Sequence, residues 1–161
     1  MIRPTVPEDS AAIMQLTKTT GVFKPLEVEA LKEVLDDYFE TNQALGHKCV
    51  TYEDHGQIVG YAYFAPTPMT DGTWHLYWIA VSKQTQAKGV GGKLLRHVEE
   101  AIRQEGGRML LIETSTLPHY DLTRRFYLKH HYELDATLHD FYAEGDHMAV
   151  FRKRFPPVDD G

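Results

Sequence analysis

The segment that most constrains this chain is Gln86-Ala87-Lys88-Gly89-Val90-Gly91-Gly92-Lys93. It lies between two stretches of different period. Before it, Thr73 to Val81 reads Thr-Trp-His-Leu-Tyr-Trp-Ile-Ala-Val, largely β-branched or aromatic, which predicts a strand. After it, Leu94, Leu95, Val98, Ala101 and Ile102 recur at helical spacing up to Gly106-Gly107. Glycines carry no Cβ, so main-chain N–H groups there can approach an anion. A helix N-terminus adds unpaired N–H donors and partial positive charge. Lys88 and Lys93 add formal charge. A strand, glycine loop and helix followed by the short apolar run Arg108 to Thr114 predicts a crossover joining two parallel strands.

The remaining periods complete an α+β chain. Ile2 to Thr5 predicts a short first strand, and a helix should begin near Pro7, with Ile13 and Leu16 facing inward and Gly21 ending it. Val28, Leu31, Val34, Leu35, Tyr38 and Phe39 predict a second helix from about Leu26 to Ala44, closed by Gly46. Lys48–Glu53 and Gln57–Ala65, joined by the turn signal Asp54-His55-Gly56, should form an antiparallel meander with Thr73–Val81. A last helix from about Asp121 to His130 leads to strands over Glu133–His139 and His147–Phe155. The expected architecture is a mixed, mostly antiparallel sheet of about seven strands flanked by about four helices. Residues 1–155 form one domain, and 156–161 a disordered tail.

The loop alone leaves several readings open. A dinucleotide fingerprint needs a third glycine where Leu94 stands, and a phosphate-binding P-loop needs Ser or Thr after Gly92-Lys93. Both fail. A cradle for another phosphate and a plain glycine turn into a helix remain. Charge narrows the partners. With 17 Lys and Arg against 23 Asp and Glu, the net charge of -6 argues against a non-specific nucleic-acid binder. No apolar run approaches the ~20 residues of a membrane span, and no apolar leader follows Met1-Ile2-Arg3-Pro4. The single Cys49 forms no internal disulfide, which suits the cytosol. No His-Glu-x-x-His or Cys-x-x-Cys occurs, so no metal is expected.

Gln86-x-x-Gly89-x-Gly91, following Ile79-Ala80-Val81-Ser82, resembles the Gln/Arg-x-x-Gly-x-Gly/Ala loop of the GNAT superfamily of N-acetyltransferases, and specifically its small, bacterial-type single-domain members. Thr123-Arg124-Arg125-Phe126-Tyr127 resembles the family's last helix, which ends in a Tyr, and the element order fits from Ile2 to about Arg154. The resemblance implies the GNAT fold, with the fourth and fifth strands parallel and splayed. It implies acetyl-CoA as co-substrate, its pyrophosphate on Gln86, Ala87, Lys88, Gly89, Val90, Gly91, Gly92 and Lys93, and its pantetheine arm beside Ile79, Ala80 and Val81. A main-chain N–H near Ala80 or Val81 would polarise the thioester carbonyl. Arg124 and Arg125 are candidate contacts for CoA, with solvated helix surface as the competing reading, and the run Arg152-Lys153-Arg154 reads first as a solvated sheet edge, with the 3′-phosphate of CoA as the lesser alternative. There are departures. His131-Tyr132 stands where the family usually has Gly-Phe, so His131 either bears the strain of a left-handed helix stop or shifts the stop. The family's Asn before the last helix is missing, with Tyr120 or Asp121 nearest.

Acetyl transfer requires the amine to lose a proton and the departing thiolate to gain one. Tyr127 is the acid that the resemblance implies. Glu113, ending the fifth strand, leads the candidates for the base, ahead of His119, His75 and Tyr77. The last two lie two apart on one strand and share a face. Phe23, Tyr38, Phe64, Trp78, Phe141 and Tyr142 are candidate walls for the acceptor, and Asp36, Asp37 and Asp140 candidate attractors of a cationic amine. The expected function is a cytoplasmic acetyl-CoA-dependent N-acetyltransferase acting on a small primary amine by direct attack in a ternary complex. The alternatives are a non-catalytic acetyl-CoA-binding regulatory protein, and a transferase for protein N-termini or lysines. A homodimer through the sheet edges or the last hairpin is compatible with this reading.

Overall fold

The computed structural model describes residues 1–85 and 88–157. The elements run β1 (Ile2–Pro4), α1 (Ser10–Thr19), α2 (Pro25–Asp37), β2 (Lys48–Asp54), β3 (Gln57–Pro66), β4 (Thr73–Val81), α3 (Val90–Gln104), β5 (Met109–Ser115), α4 (Asp121–Lys129), β6 (Glu133–Ala143) and β7 (Asp146–Arg154). The strands form a seven-stranded sheet in the order β1-β2-β3-β4-β5-β7-β6. β4 and β5 are parallel, β1 with β2, β2 with β3, β5 with β7 and β6 with β7 antiparallel. No described helix is long and apolar enough to cross a membrane. The chain divides into two compact units, Met1–Ala65 with Trp78–Glu100, and Pro66–Tyr77 with Ala101–Gly161.

The first unit is built on β3. Val59 to Ala65 are all buried, the pattern of a strand covered on both faces. Its core joins Ile13 and Leu16 of α1, Leu31 and Leu35 of α2, Tyr38, Cys49, Tyr61, Tyr63 and Ala80. Tyr61 keeps its hydroxyl satisfied in this apolar setting. Thr17 donates to the Ile13 carbonyl (2.8 Å), so the Tyr61 hydroxyl donates to Thr17 Oγ1 (2.6 Å). The Asp54–Gln57 turn has both central residues, His55 and Gly56, at positive φ (51° and 78°), the backbone that a tight hairpin requires. Gly60 has a packing role. A Cβ there would lie 2.9 Å from Leu94 Cδ1 and 3.3 Å from both Val90 Cγ1 and the Ala80 carbonyl oxygen. Its absence lets the start of α3 press onto the strand.

Two expectations change in this unit. The first helix is preceded by a 3-10 turn over Pro7–Asp9, where Asp9 pairs with Arg3 at 2.8 Å. The second does not run as one α-helix to Ala44. It slips after Asp37 into a π-helical turn over Tyr38–Asn42, closed by the Gln43 N–H on the Tyr38 carbonyl. Through this slip Tyr38 stays buried, edge-on to Phe39 and to Tyr63.

In the second unit, β7 lies between β5 and β6. Arg152-Lys153-Arg154 is therefore not on a sheet edge. Arg152 instead faces Glu133 (4.0 Å) and Asp135 (3.5 Å) of β6, and Lys153 sits over the Tyr132 ring and donates to the His130 carbonyl. The β6–β7 register holds at Leu138–Met148 and resumes at Ala143–Asp146. His139, Asp140, Phe141 and Tyr142 thus oppose His147 alone, and this bulge re-aims the last two rings. Asp140 (φ 59°) accepts from the Gly145 N–H.

α4 stops where its sequence expects it to, at the cost of a strained residue. The His131 N–H donates to the Leu128 carbonyl (3.1 Å) and the Tyr132 N–H to the Tyr127 carbonyl (3.0 Å). These two bonds make a Schellman stop, and His131 occupies its left-handed position at φ 71°. The Tyr127 and Tyr132 rings, 6.1 Å apart, supply the apolar contact that accompanies such stops. Because a Cβ is disfavoured there, His131→Gly should raise stability by about 0.5–1 kcal/mol despite the added unfolded-state entropy. Urea unfolding of the two proteins measures this.

Cys49 is buried, and burial pushes its thiol up from 9.0 to about 12. A thiol raised in the native state contributes stability that is complete below about pH 9 and is lost as pH rises towards 12. Native protein should therefore resist aromatic disulfide reagents at pH 8. Its unfolding free energy should fall between pH 9 and 12 more steeply than that of Cys49→Ala, as read by denaturant titration at each pH.

Candidate active site

β4 alternates. Trp74 and Leu76 are buried, while His75 and Tyr77 stand on the opposite face. Their rings stack at 5.5 Å with an interplanar angle of 22°. His75 Nε2 lies 3.2 Å from Glu113 Oε1 on β5, and His75 Nδ1 lies 2.6 Å from Thr67 Oγ1 in the β3–β4 connection. Thr67 is placed by its own N–H, which donates to the Thr73 carbonyl at 2.8 Å. The parallel β4–β5 register runs from Thr73–Met109 to Leu76–Ile112. Tyr77 and Glu113 are the next residues on their strands, at the end of the ladder. Together with His75, Leu76 and Tyr142 they line a pocket of about 150 Å³.

The pocket is polar and electron-rich. It presents a carboxylate, an imidazole and two phenols. Burial first, and the Glu113 charge second, hold the Tyr77 hydroxyl above the usual phenol range. Such a lining suits a cation or a proton-donating group, because the carboxylate accepts and the aromatic faces favour positive charge.

Tyr127 lies on α4 among Phe126, Tyr132 and Phe151, with ring centroids 5.6, 6.1 and 5.7 Å away. Burial raises its pKa well above the usual phenol value. Among the described residues its hydroxyl has no hydrogen-bond partner, and no buried side-chain nitrogen or oxygen is left unsatisfied. Arg124 Nη1 donates to the Ser115 (2.7 Å) and Leu117 (3.0 Å) carbonyls, and its Nη2 approaches Asp121 (3.4 Å). It thereby ties the end of β5 to α4. Arg125 pairs with Asp121 at 2.9 Å, and the His119 ring packs on Tyr120.

The glycine loop belongs to the first unit. Gln86 and Ala87 lie outside the described residues. The Ser82 N–H donates to the Val59 carbonyl and the Lys88 N–H to that of Thr85. Gly89 takes φ 76°, and a Cβ there would meet nothing within 4 Å. The Lys93 N–H closes on the Gly89 carbonyl at 3.1 Å, so the N–H groups of Val90, Gly91 and Gly92 precede the first closed turn of α3. Lys88 and Lys93 are exposed. Open space, forward N–H groups and two cations fit a phosphate-bearing ligand. Ile79 and Val81 are partly buried and Ala80 is buried.

The structure thus brings together four residues that the sequence singles out: His75, Tyr77, Glu113 and Tyr142. Tyr38 and Phe64 are core residues rather than walls, and Phe23 packs on Trp78 at 5.5 Å. Thr67 was not singled out. Its one sequence signal is its place between Pro66 and Pro68, which marks a turn but no partner. Among the described residues no group of three or more His, Cys, Asp or Glu side chains could hold a metal ion.

Comparison with known proteins places the family and the fold. No curated protein sequence matches the chain. Among solved structures, a GNAT-family protein from Desulfovibrio desulfuricans is 35% identical, with a TM-score of 0.91 over 96% of this chain and 98% of that one. An aminoglycoside 6'-N-acetyltransferase solved with coenzyme A is similar at 17% identity and a TM-score of 0.78, over 99% of both chains. The ribosomal-protein-S18-alanine N-acetyltransferase from Escherichia coli is similar at 15% identity and a TM-score of 0.78, over 100% of this chain and 97% of that one. The last two share the fold. The model of the Acetyltransferase (GNAT) family matches residues 12–132, and with the same seven-stranded sheet and the parallel β4–β5 pair, this chain belongs to the GNAT family of acetyltransferases.

Proposed function

We propose that the chain is an acetyl-CoA-dependent N-acetyltransferase that acetylates a primary amine by direct attack in a ternary complex. The observation that carries this reading is a carboxylate, Glu113, lining a pocket at the end of the parallel ladder of a GNAT-family sheet. Acetyl-CoA, when bound, supplies the acetyl group as a thioester. The loop from Gln86 to Lys93 takes its pyrophosphate, and the open space at Gly89 supports that assignment. Ile79 to Val81 line its pantetheine arm. Cys49 is buried with a raised pKa, which argues against an acetyl-cysteine intermediate and for direct attack.

Glu113 accepts the proton that the attacking ammonium must lose, and the nitrogen lone pair then forms the C–N bond as the C–S bond breaks. Tyr127 gives a proton to the departing sulfur. Burial keeps its phenol protonated across the working range. The acceptor is assigned as a class, a primary amine that enters as a cation. The polar, aromatic lining of the pocket supports it.

Acetyl-CoA should raise Tm in a concentration-dependent way, with NAD and ATP doing so much less. Gly91 is not among the left-handed glycines, so Gly91→Val adds a side chain without that strain and should remove most of the shift while leaving the ligand-free Tm within a few degrees. Equal shifts from all three nucleotides would refute the CoA assignment.

Tyr127→Phe should leave acetyl-CoA affinity nearly unchanged and lower turnover roughly 10²-fold. The deficit should shrink above pH ~8.5, where a thiolate leaves without protonation. The assay screens amines for release of free CoA thiol. Near-native turnover at all pH values would reduce Tyr127 to a packing residue.

A further inference from the structure

Both ring nitrogens of His75 are engaged, Nε2 with Glu113 Oε1 at 3.2 Å and Nδ1 with Thr67 Oγ1 at 2.6 Å. As a carboxylate, Glu113 can only accept, so Nε2 carries a hydrogen and donates it. In the neutral ring the Nδ1 lone pair then faces Thr67, whose O–H is the donor. In the imidazolium both nitrogens donate, and the same hydroxyl turns to accept. A hydroxyl is one of the few groups that serve both states. The form excluded is the neutral Nδ1–H tautomer, which would set the Nε2 lone pair against a carboxylate oxygen.

We infer that His75 is a positioning residue rather than the proton acceptor, and that Thr67 is the anchor that holds it. Building on Glu113 as the acceptor, this assigns each carboxylate oxygen a task. Oε1 is pinned by the Nε2–H of His75. Oε2 has no partner among the described residues and, on a side chain 41% exposed, faces the incoming amine. Stacking on Tyr77 fixes the plane of the imidazole, and its own side chain is only 16% exposed. The groups facing it are Thr67 from the β3–β4 connection, Tyr77 from β4, Glu113 from β5 and Tyr142 from β6. Both His75 nitrogens are thus occupied by Thr67 and Glu113, whereas Oε2 has no partner among the described residues.

Long-range ¹H–¹⁵N NMR of the ring tests this in the full-length protein without any activity. Native protein and Thr67→Ser should show neutral His75 as a single Nε2–H tautomer. In Thr67→Val, which sets a methyl against Nδ1, the Nε2–H tautomer should persist while Nδ1 loses its hydrogen bond and its ¹⁵N resonance moves downfield towards that of a bare lone pair. Kinetically, Thr67→Val should lower kcat roughly five- to tenfold, the worth of one hydrogen bond, at unchanged KM for acetyl-CoA, and Thr67→Ser should recover most of it. An Nδ1–H tautomer in the native protein overturns the inference. So does a Thr67→Val protein whose Nδ1 resonance is unchanged, or one that keeps native kcat. If Thr67→Val does not fold, the native and Thr67→Ser spectra still decide the tautomer. Full turnover by Glu113→Gln would instead refute Glu113 as the acceptor, and would leave the spectra to judge the Thr67–His75 pair.

Discussion

The parallel ladder between β4 and β5 ends after four residue pairs, and the candidate site depends on that end. β4 continues to Val81 and β5 to Ser115 beyond it. Trp74, Leu76, Leu110 and Ile112 of the ladder are buried, while His75, in the same ladder, stands on the opposite face with Tyr77. One residue further on, Tyr77 and Glu113 meet a pocket, and polar side chains become affordable because water or a ligand reaches them. The boundary between core and chemistry is therefore set by strand face, which puts His75 and Tyr77 together, and by the end of the ladder, which puts Tyr77 and Glu113 at the pocket.

Around that point the second unit satisfies its polar groups in pairs. Thr67, His75 and Glu113 form a chain of hydrogen bonds across three segments. Ser115 donates to the buried Asp146, and Arg124 binds the carbonyls of Ser115 and Leu117. A neutral contact contributes about 0.5–1.5 kcal/mol in net stability and one to a charged group about 1.5–3, and leaving a buried member unpaired carries the full desolvation penalty. Networks of this kind act mainly on position, by restricting the orientations that a carboxylate or ring can take.

The stop of α4 shows how local strain is offset. A glycine at His131 would remove the left-handed penalty, yet both stop hydrogen bonds and the Tyr127–Tyr132 contact form around the histidine. The ring cluster thereby holds Tyr127 deep on α4, and burial in turn keeps its phenol protonated. Packing and protonation state at this residue share one cause.

The sequence by itself determined the elements, the parallel crossover after the glycine loop, and the shared face of His75 and Tyr77. These follow from contacts two to four residues apart, which leave a period in the chain. It also carried the tension at His131, because a helix stop is local. Only the tertiary structure decided that β7 lies inside the sheet, which took Arg152 from an expected edge to a position paired with strands on both sides. It alone brought Thr67 and Glu113 to opposite sides of one imidazole, and Tyr142 to the same pocket through the bulge of β6. Thr67 and Glu113 are 46 residues apart in the numbering, and no local period records such a meeting. Strand order and side-chain convergence come from long-range pairing, whose free energy is collected only when the whole sheet forms.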